Sequence, residues 1–174
     1  MSRPPRRSPA PSRLGAPESL QDLLLFRLWR ITSRSSRVMN RICEREFGIT
    51  RREWRVLAHL ALGEGVLSSQ LAERVELDRA RTSRAISNLK DKRLVSRTPR
   101  PSDRREVVLH LTDAGRELYA ALFPRAVQVN AELLTPFTAV EQAQLEQLLG
   151  RLHVQATRMA ERITPAGDDE STEY

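Results

Sequence analysis

The stretch that decides the fold is residues 78–111, DRARTSRAISNLKDKRLVSRTPRPSDRREVVLHL. Asp78 is a residue type that caps helix N-termini, and apolar or small residues recur behind it at helical spacing. We therefore predict a helix from Arg79 to about Lys92. Its inward face is predicted to consist of Ala80, Ser83, Ile86, Ser87 and Leu89.

The second half of this stretch has the pattern of a β-hairpin. Leu94–Thr98 and Glu106–Leu111 are short strand-like runs, and the loop at 99–105 contains two prolines and three arginines. Residues 78–111 thus predict a basic helix followed by a hairpin with a basic tip.

The positive charge of the chain is concentrated in the same place. Residues 78–105 hold ten Lys and Arg against three Asp, a balance of +7 that equals the net charge of the whole chain. The basic N-terminus (1–13) and the acidic C-terminus (168–173) cancel each other. A local excess of this kind is typical of a surface that binds a polyanion, whereas a merely solvated helix face interleaves acidic residues.

Helix signals precede the basic stretch. Apolar residues at steps of three and four predict a long amphipathic helix over Leu20–Glu46, ended by Gly48. Thr50 and Glu53 form a capping box for a second helix that runs to Gly63. A short helix containing Leu71, Ala72 and Val75 begins near Ser68.

Two more helices are predicted after the hairpin. Thr112 caps the first, which runs towards Leu134, and a capping box of Thr138 and Glu141 opens the second. The last helix carries a long apolar stripe: Leu145, Leu148, Leu149, Leu152, Ala156, Met159 and Ile163. Since the small middle domain cannot cover this stripe and that of the N-terminal helix, we predict a homodimer; packing of the two helices within one chain is the alternative.

The order of elements is that of a winged helix-turn-helix. The predicted fold is mainly α with a small β-wing, and the N- and C-terminal helices form a dimerisation domain. In this plan the basic helix enters the DNA major groove, the short helix crosses the backbone and the wing reaches the minor groove. The candidate DNA-binding residues are Ser68, Ser69, Arg79, Arg81, Thr82, Arg84, Arg104 and Arg105.

The chain is accordingly divided into five segments. They are a disordered basic arm (1–17), a dimerisation helix (18–48), the winged helix-turn-helix (49–115), C-terminal dimerisation helices (116–164) and a disordered acidic tail (165–174). No apolar run is long enough for a membrane span, and the N-terminus lacks the apolar stretch of a secretory signal. With a single cysteine, the sequence predicts a cytoplasmic protein.

The ordered motifs resemble those of the MarR family of bacterial transcription regulators over roughly residues 20–163. The matching stretches are ITRREWRVL (49–57), LAER (71–74), DRARTSR (78–84), LKDKRLV (89–95), DRR (103–105) and LHLTDAG (109–115). The resemblance implies a triangular homodimer that represses by covering a promoter palindrome and that is released by a small phenolic or aromatic acid. It also implies that Asp103 positions the neighbouring arginines of the wing.

An aromatic carboxylate needs an apolar slot with a cationic or hydrogen-bonding anchor. The candidate effector-binding residues are Arg27, Arg34, Trp54 and His59. Three of them have a plainer interpretation: Arg27 as an intersubunit ion-pair partner or a snorkelling side chain, Trp54 as a core residue and His59 as a surface or hydrogen-bonded residue.

Other functions have less support in the sequence. Redox sensing by Cys43 is an alternative, although the C-terminal end of a helix disfavours a thiolate. A ligand-independent architectural DNA-binding protein is another. The three histidines have no ligand-like spacing, so we predict no metal and no cofactor. No phosphate loop, nucleophile elbow or His-Glu metal motif suggests an enzyme.

Overall fold

The computed structural model describes residues 12–63, 65–68, 70–71, 78–100 and 103–163, with side chains left out at 103–105 and 163. Its helices are α1 (Leu24–Phe47), α2 (Arg51–Ala61), α3 (Arg79–Asp91), α4 (Asp113–Leu134) and α5 (Ala139–Ile163). Its strands are β1 (Val66–Leu67), β2 (Val95–Arg100) and β3 (Asp103–Leu111). None of the described helices is long and apolar enough to cross a lipid bilayer.

The signals that end and start the first helices are confirmed. Gly48 follows α1 with φ 63°, a left-handed conformation that a glycine adopts without steric cost. The Thr50 hydroxyl accepts from the Glu53 amide, while the Glu53 carboxylate accepts from the Thr50 amide at 2.7 Å.

Two boundaries differ from the prediction. The first helix was predicted from Leu20, but Leu20–Asp22 form a 3-10 turn, Leu23 is extended and α1 begins at Leu24. The disordered arm was predicted to reach residue 17, but residues 12–16 form a turn in which Gly15 and Ala16 donate to the Ser12 carbonyl.

The inward face predicted for the basic helix is wrong in part. Asp78 caps α3 as predicted, and its carboxylate accepts from the Arg81 amide at 2.7 Å. The buried residues of α3 are Thr82, Ala85, Ile86 and Leu89, whereas Ala80, Ser83 and Ser87 are exposed. The prediction was wrong because small and hydroxyl-bearing side chains occur on both buried and exposed helix faces, so they hardly indicate which face is buried.

The sheet is larger than predicted. The order is β1-β3-β2, all antiparallel, and β1 pairs Val66 with Leu109. A two-residue strand is too short for an alternating pattern, so the sequence did not reveal β1. The hairpin loop was predicted over 99–105, but strand pairing continues to Arg100 and Asp103 beyond a register irregularity.

The chain divides into two compact units, residues 1–129 and 130–174. In the second unit the predicted capping box is confirmed: the Thr138 amide donates to the Glu141 carboxylate at 2.8 Å. All described residues of α5 except Leu145 are exposed in the single chain.

The core of the first unit lies where α2, α3 and the sheet meet. Its fully buried members include Val56, Leu57, Ile86, Leu89 and Leu109, and Leu122 of α4 is equally buried.

An ion pair between an exposed lysine and a buried glutamate connects the end of the basic helix to the start of α2. Lys92, which follows α3, donates from Nζ to the Gly48 carbonyl at 2.8 Å and to Glu53 Oε2 at 2.9 Å. Glu53 is 1% exposed. Burial acts to raise the pKa of Glu53, but hydrogen bonds from Lys92 and Thr50 and the Lys92 charge outweigh it, so the pKa lies below its usual value. Glu53 therefore stays ionised and holds Lys92 in place.

A close backbone contact fixes the start of α4 against the base of the hairpin. A Cβ added to Gly115 would lie 2.1 Å from the Leu94 carbonyl oxygen, so only glycine fits. Beside it, the Thr112 amide donates to the same carbonyl and the Thr112 hydroxyl to the Arg93 carbonyl. These contacts join the end of α3, the start of β2 and the start of α4.

Replacing Gly115 by Ala is expected to lower the free energy of unfolding by about 2–3 kcal/mol, because the methyl group forces backbone apart. Gly150→Ala is the matched control. Nothing lies within 4 Å of its added Cβ, and alanine favours a helix interior by about 0.5–1 kcal/mol. Urea unfolding at one protein concentration measures both. Equal stability of Gly115→Ala and the parent would contradict the close contact.

Lys92→Met is expected to destabilise the fold by about 2 kcal/mol at neutral pH, because it leaves a buried carboxylate without its partner. The stability contributed by a carboxylate with a lowered pKa is present above its unfolded value, here 4.5, and is lost as the pH falls through the folded value. The difference between variant and parent should therefore shrink in unfolding curves recorded below pH 4.5. The control is Lys90→Met, at an exposed position of α3, which should change the free energy of unfolding little at any pH. A loss of stability in Lys92→Met that is the same at all pH values would argue against the ion pair.

Candidate nucleic-acid interface

The N-terminal turns of α3 present arginines outward while the opposite face is fixed in the core. Arg79, Arg81 and Arg84 are exposed. The Arg81 guanidinium pairs with Asp78, with Nε 3.0 Å from Oδ2. The side chains of Arg79 and Arg84 make no hydrogen bond or ion pair with the described residues. Two cations thus project from the first turns of a rigidly held helix.

Thr82 cannot contact a base, which corrects the prediction for this residue. It is 2% exposed, and its hydroxyl has no hydrogen-bond partner among the described residues. In its place Ser83 and Ser87 lie on the exposed side of α3. Sequence reasoning missed them as candidates because it assigned both to the core.

The strands of the hairpin carry further cations. Arg97 of β2 is exposed, and Arg100 forms an ion pair with Glu106, so part of the basic charge is neutralised. Asp103, Arg104 and Arg105 begin β3, but their side chains lie outside the described part, as does Ser69. Ser68 is helical and half-buried next to β1. The burial of β2 does not alternate, so its charge rather than a period-2 pattern was the signal for an exposed Arg97.

The four candidate effector residues do not meet in one cavity among the described residues. Arg27 and Arg34 line a groove at the start of α1. Arg27 donates there to Asp22 Oδ1 at 3.2 Å and to the Gln21 carbonyl at 2.9 Å; this ion pair lies within one chain, whereas the plainer interpretation placed it between subunits.

Trp54 belongs to an aromatic stack between α2 and α4. Its ring centroid lies 5.5 Å from that of Tyr119, which in turn stacks on Phe123 at 5.6 Å. Tyr119 lines a separate cavity of about 450 Å³ together with Leu60, Ala61, His110, Leu111 and Arg116. His59, half-buried on α2, does not line this cavity. Sequence reasoning missed Arg116 and Tyr119 because the cavity joins residues far apart in the chain.

Cys43 is poorly placed for redox sensing. It is fully buried, and burial raises the pKa of its thiol to about 11. A sensor cysteine needs a thiolate and access to solvent, and Cys43 provides neither. Within the described residues, no group of three or more His, Cys, Asp or Glu side chains is close enough together to hold a metal ion.

Comparison with known proteins agrees with this arrangement. A family model described as "MarR family" matches residues 47–106. The uncharacterised HTH-type transcriptional regulator YdgJ of Bacillus subtilis is 30% identical over 105 residues, 60% of this chain and 64% of YdgJ. The chain therefore spans just under two thirds of that relative. YdcH, a second uncharacterised HTH-type regulator of the same organism, is 30% identical over 109 residues, 60% of this chain and 74% of YdcH.

A solved structure extends the likeness to the fold. A probable transcriptional regulator from Pseudomonas aeruginosa superposes with a TM-score of 0.68 at 27% identity, covering 77% of this chain and 99% of that one. The mainly helical fold with a small three-stranded antiparallel sheet is that of a winged helix. The chain belongs to the MarR family of transcriptional regulators, a family of regulators and not of enzymes.

Proposed function

We propose that the chain binds a palindromic DNA operator as a homodimer and represses transcription by covering a promoter. The observation that carries the proposal is the geometry of α3, whose buried face is packed in the core while Arg79 and Arg84 project without an acidic partner among the described residues. An arginine at the start of such a helix can donate to guanine O6 and N7 in the major groove at once.

The proposed base-reading surface includes the exposed side of α3. Arg84, Ser83 and Ser87 share this side, so hydroxyl and guanidinium donors stand together. Arg81, paired with Asp78, is better suited to a phosphate contact than to base reading. Arg97, Arg104 and Arg105 form the proposed minor-groove or phosphate contact of the wing, with Asp103 in the positioning role that the family resemblance implies.

The proposal of a dimer rests on apolar side chains left exposed in the single chain. On α1, Ile31 and Val38 belong to the stripe that the sequence predicts for an interface and are about half exposed. On α5 the exposed apolar residues are Val140, Leu148, Leu149, Leu152, Val154 and Met159. Exposing this much apolar surface to water is unfavourable, so we propose that a second copy of the chain buries it in a dimer interface. A regulator of this kind acts on the chromosome, in the cytoplasm.

Arg84→Ala is expected to reduce the preference for operator over random duplex by about 10- to 100-fold, since one bidentate arginine–guanine contact discriminates by about 1–3 kcal/mol. Arg151→Ala, an exposed arginine on α5, is the control and should keep the preference. The operator is first selected from genomic fragments, and footprinting measures affinity, symmetry and stoichiometry. Binding by a single chain, or an unchanged preference for Arg84→Ala, would contradict the proposal.

A small aromatic acid is the proposed effector, and the cavity beside Tyr119 is its proposed site. Leu60 and Leu111 provide apolar walls, Tyr119 a ring to stack against and Arg116 a cation. The Arg116 guanidinium already donates to the Leu111 carbonyl and pairs with Asp113, and its remaining donors are available to a carboxylate. The cavity also touches β3 through His110, so its occupant would contact the sheet that carries the wing.

A thermal-shift screen of hydroxybenzoates, hydroxycinnamates and pyridine-carboxylates tests this site. A binder is expected to raise Tm and to weaken operator binding. Arg116→Gln should lose at least tenfold in affinity for it, whereas Arg151→Gln should bind normally. If no compound both stabilises the protein and releases DNA, the aromatic-acid proposal is wrong.

A further inference from the structure

The first helix carries a row of arginines that the proposed operator contact does not use. Their spacing of three and four residues places all six within about 80° of the helix circumference and over about 27 Å of its length. This α1 arginine stripe consists of Arg27, Arg30, Arg34, Arg37, Arg41 and Arg45.

Most of the stripe has no counter-charge. All six side chains are exposed, and Arg27 alone pairs with an acidic residue of the described chain, Asp22. The other five make no side-chain hydrogen bond or ion pair with the described residues. Glu44, three residues after Arg41, forms none with it. The usual interleaving of acidic residues on a solvated helix face is therefore missing here.

The surface along the stripe is concave. A groove of about 550 Å³ lies at its N-terminal end and is lined by Arg27, Arg30 and Arg34 together with Arg13. A second groove, of about 400 Å³, lies at the other end and is lined by Arg37, Arg41 and Arg45 together with Val38, Ile42 and Glu46, whose carboxylate pairs with Arg125. Grooves rimmed by guanidinium groups suit phosphates, which arginine binds through paired hydrogen bonds.

A second copy of the chain is a poor occupant for this surface. Two stripes facing each other would repel, and α5 carries three Glu against three Arg, which gives no acidic row to match. The exposed Ile31 and Val38 lie beside the stripe on the helix circumference, so a dimer can bury them while the arginines remain at its edge.

We propose that the α1 arginine stripe is a second DNA-binding surface, which contacts the phosphate backbone of a duplex without reading its sequence. Duplex DNA provides a regular row of phosphates, and about 27 Å corresponds to roughly eight base pairs at 3.4 Å per pair. All six cations are arginine, the residue suited to bidentate phosphate contact. This contact is independent of operator reading by α3.

The test compares two triple variants of the full chain that lose the same charge. The first variant removes three of the six charges of the stripe, through Arg30→Gln, Arg37→Gln and Arg41→Gln. The second removes three charges of exposed arginines on α5, through Arg151→Gln, Arg158→Gln and Arg162→Gln. Fluorescence anisotropy with a 40-base-pair duplex of random sequence gives the affinity over 50–200 mM salt. The stripe variant should lower the slope of log K against log salt by about 2 to 3, and the α5 variant should not. Circular dichroism melting checks that both fold.

The outcomes separate this inference from the proposed function. A stripe variant that loses salt-dependent binding to random duplex while keeping its relative preference for the operator supports the second surface. Loss of operator preference in Arg84→Ala bears on α3 alone. An unchanged slope, as expected if the acidic tail or the partner chain occupies the stripe, would overturn the inference. Equal losses of duplex binding in both triple variants would overturn it as well. So would a stripe variant that loses binding to phosphatidylglycerol vesicles but keeps its binding to duplex DNA.

Discussion

The ion pair between Glu53 and Lys92 is the constraint on which the position of α3, and with it the proposed DNA-binding surface, depends. It joins the N-terminus of α2 to the end of α3, and through the Gly48 carbonyl it includes the turn after α1. The Glu53 carboxylate is buried, so losing its lysine partner is costly, and this favours one relative arrangement of the three segments. The projecting arginines of α3 are pre-positioned by this arrangement, which spares the cost of ordering the helix when it binds.

Among the features that were predicted correctly from the sequence are the capped helix ends, which depend on a few neighbouring residues. The left-handed Gly48, the Asp78 cap and the capping boxes at Thr50 and Thr138 are specific patterns with one geometric solution each, and all are confirmed. The fold class followed from their order. The face of α3 was harder, because Thr82, Ser83 and Ser87 are similar in polarity and tertiary packing alone decides which is buried. The same holds for the cavity beside Tyr119, whose walls come from three separate elements.

The net charges of the sequence segments did not reveal the α1 arginine stripe, which becomes visible only in the helix. Residues outside the termini and the 78–105 stretch sum to zero, so the sequence suggested one basic surface. Among the described residues only Arg27 of the stripe pairs with an acidic side chain, Asp22, while Glu46 of α1 pairs with Arg125 of α4, so five of the six arginines have no ion-pair partner there. The Arg125 hydrogen bond lowers the pKa of Glu46, which stays ionised at neutral pH. Two separate basic surfaces result.

The contact of Gly115 with Leu94 has a mechanical consequence. Because no atom fits between the first turn of α4 and the backbone that leads from α3 into β2, the two cannot slide past each other. A displacement of this turn is therefore expected to carry the base of the wing and the end of α3 with it. Arg116 and Tyr119, which line the cavity, follow this turn on α4, so we expect the cavity and the arginines of α3 to be coupled through it.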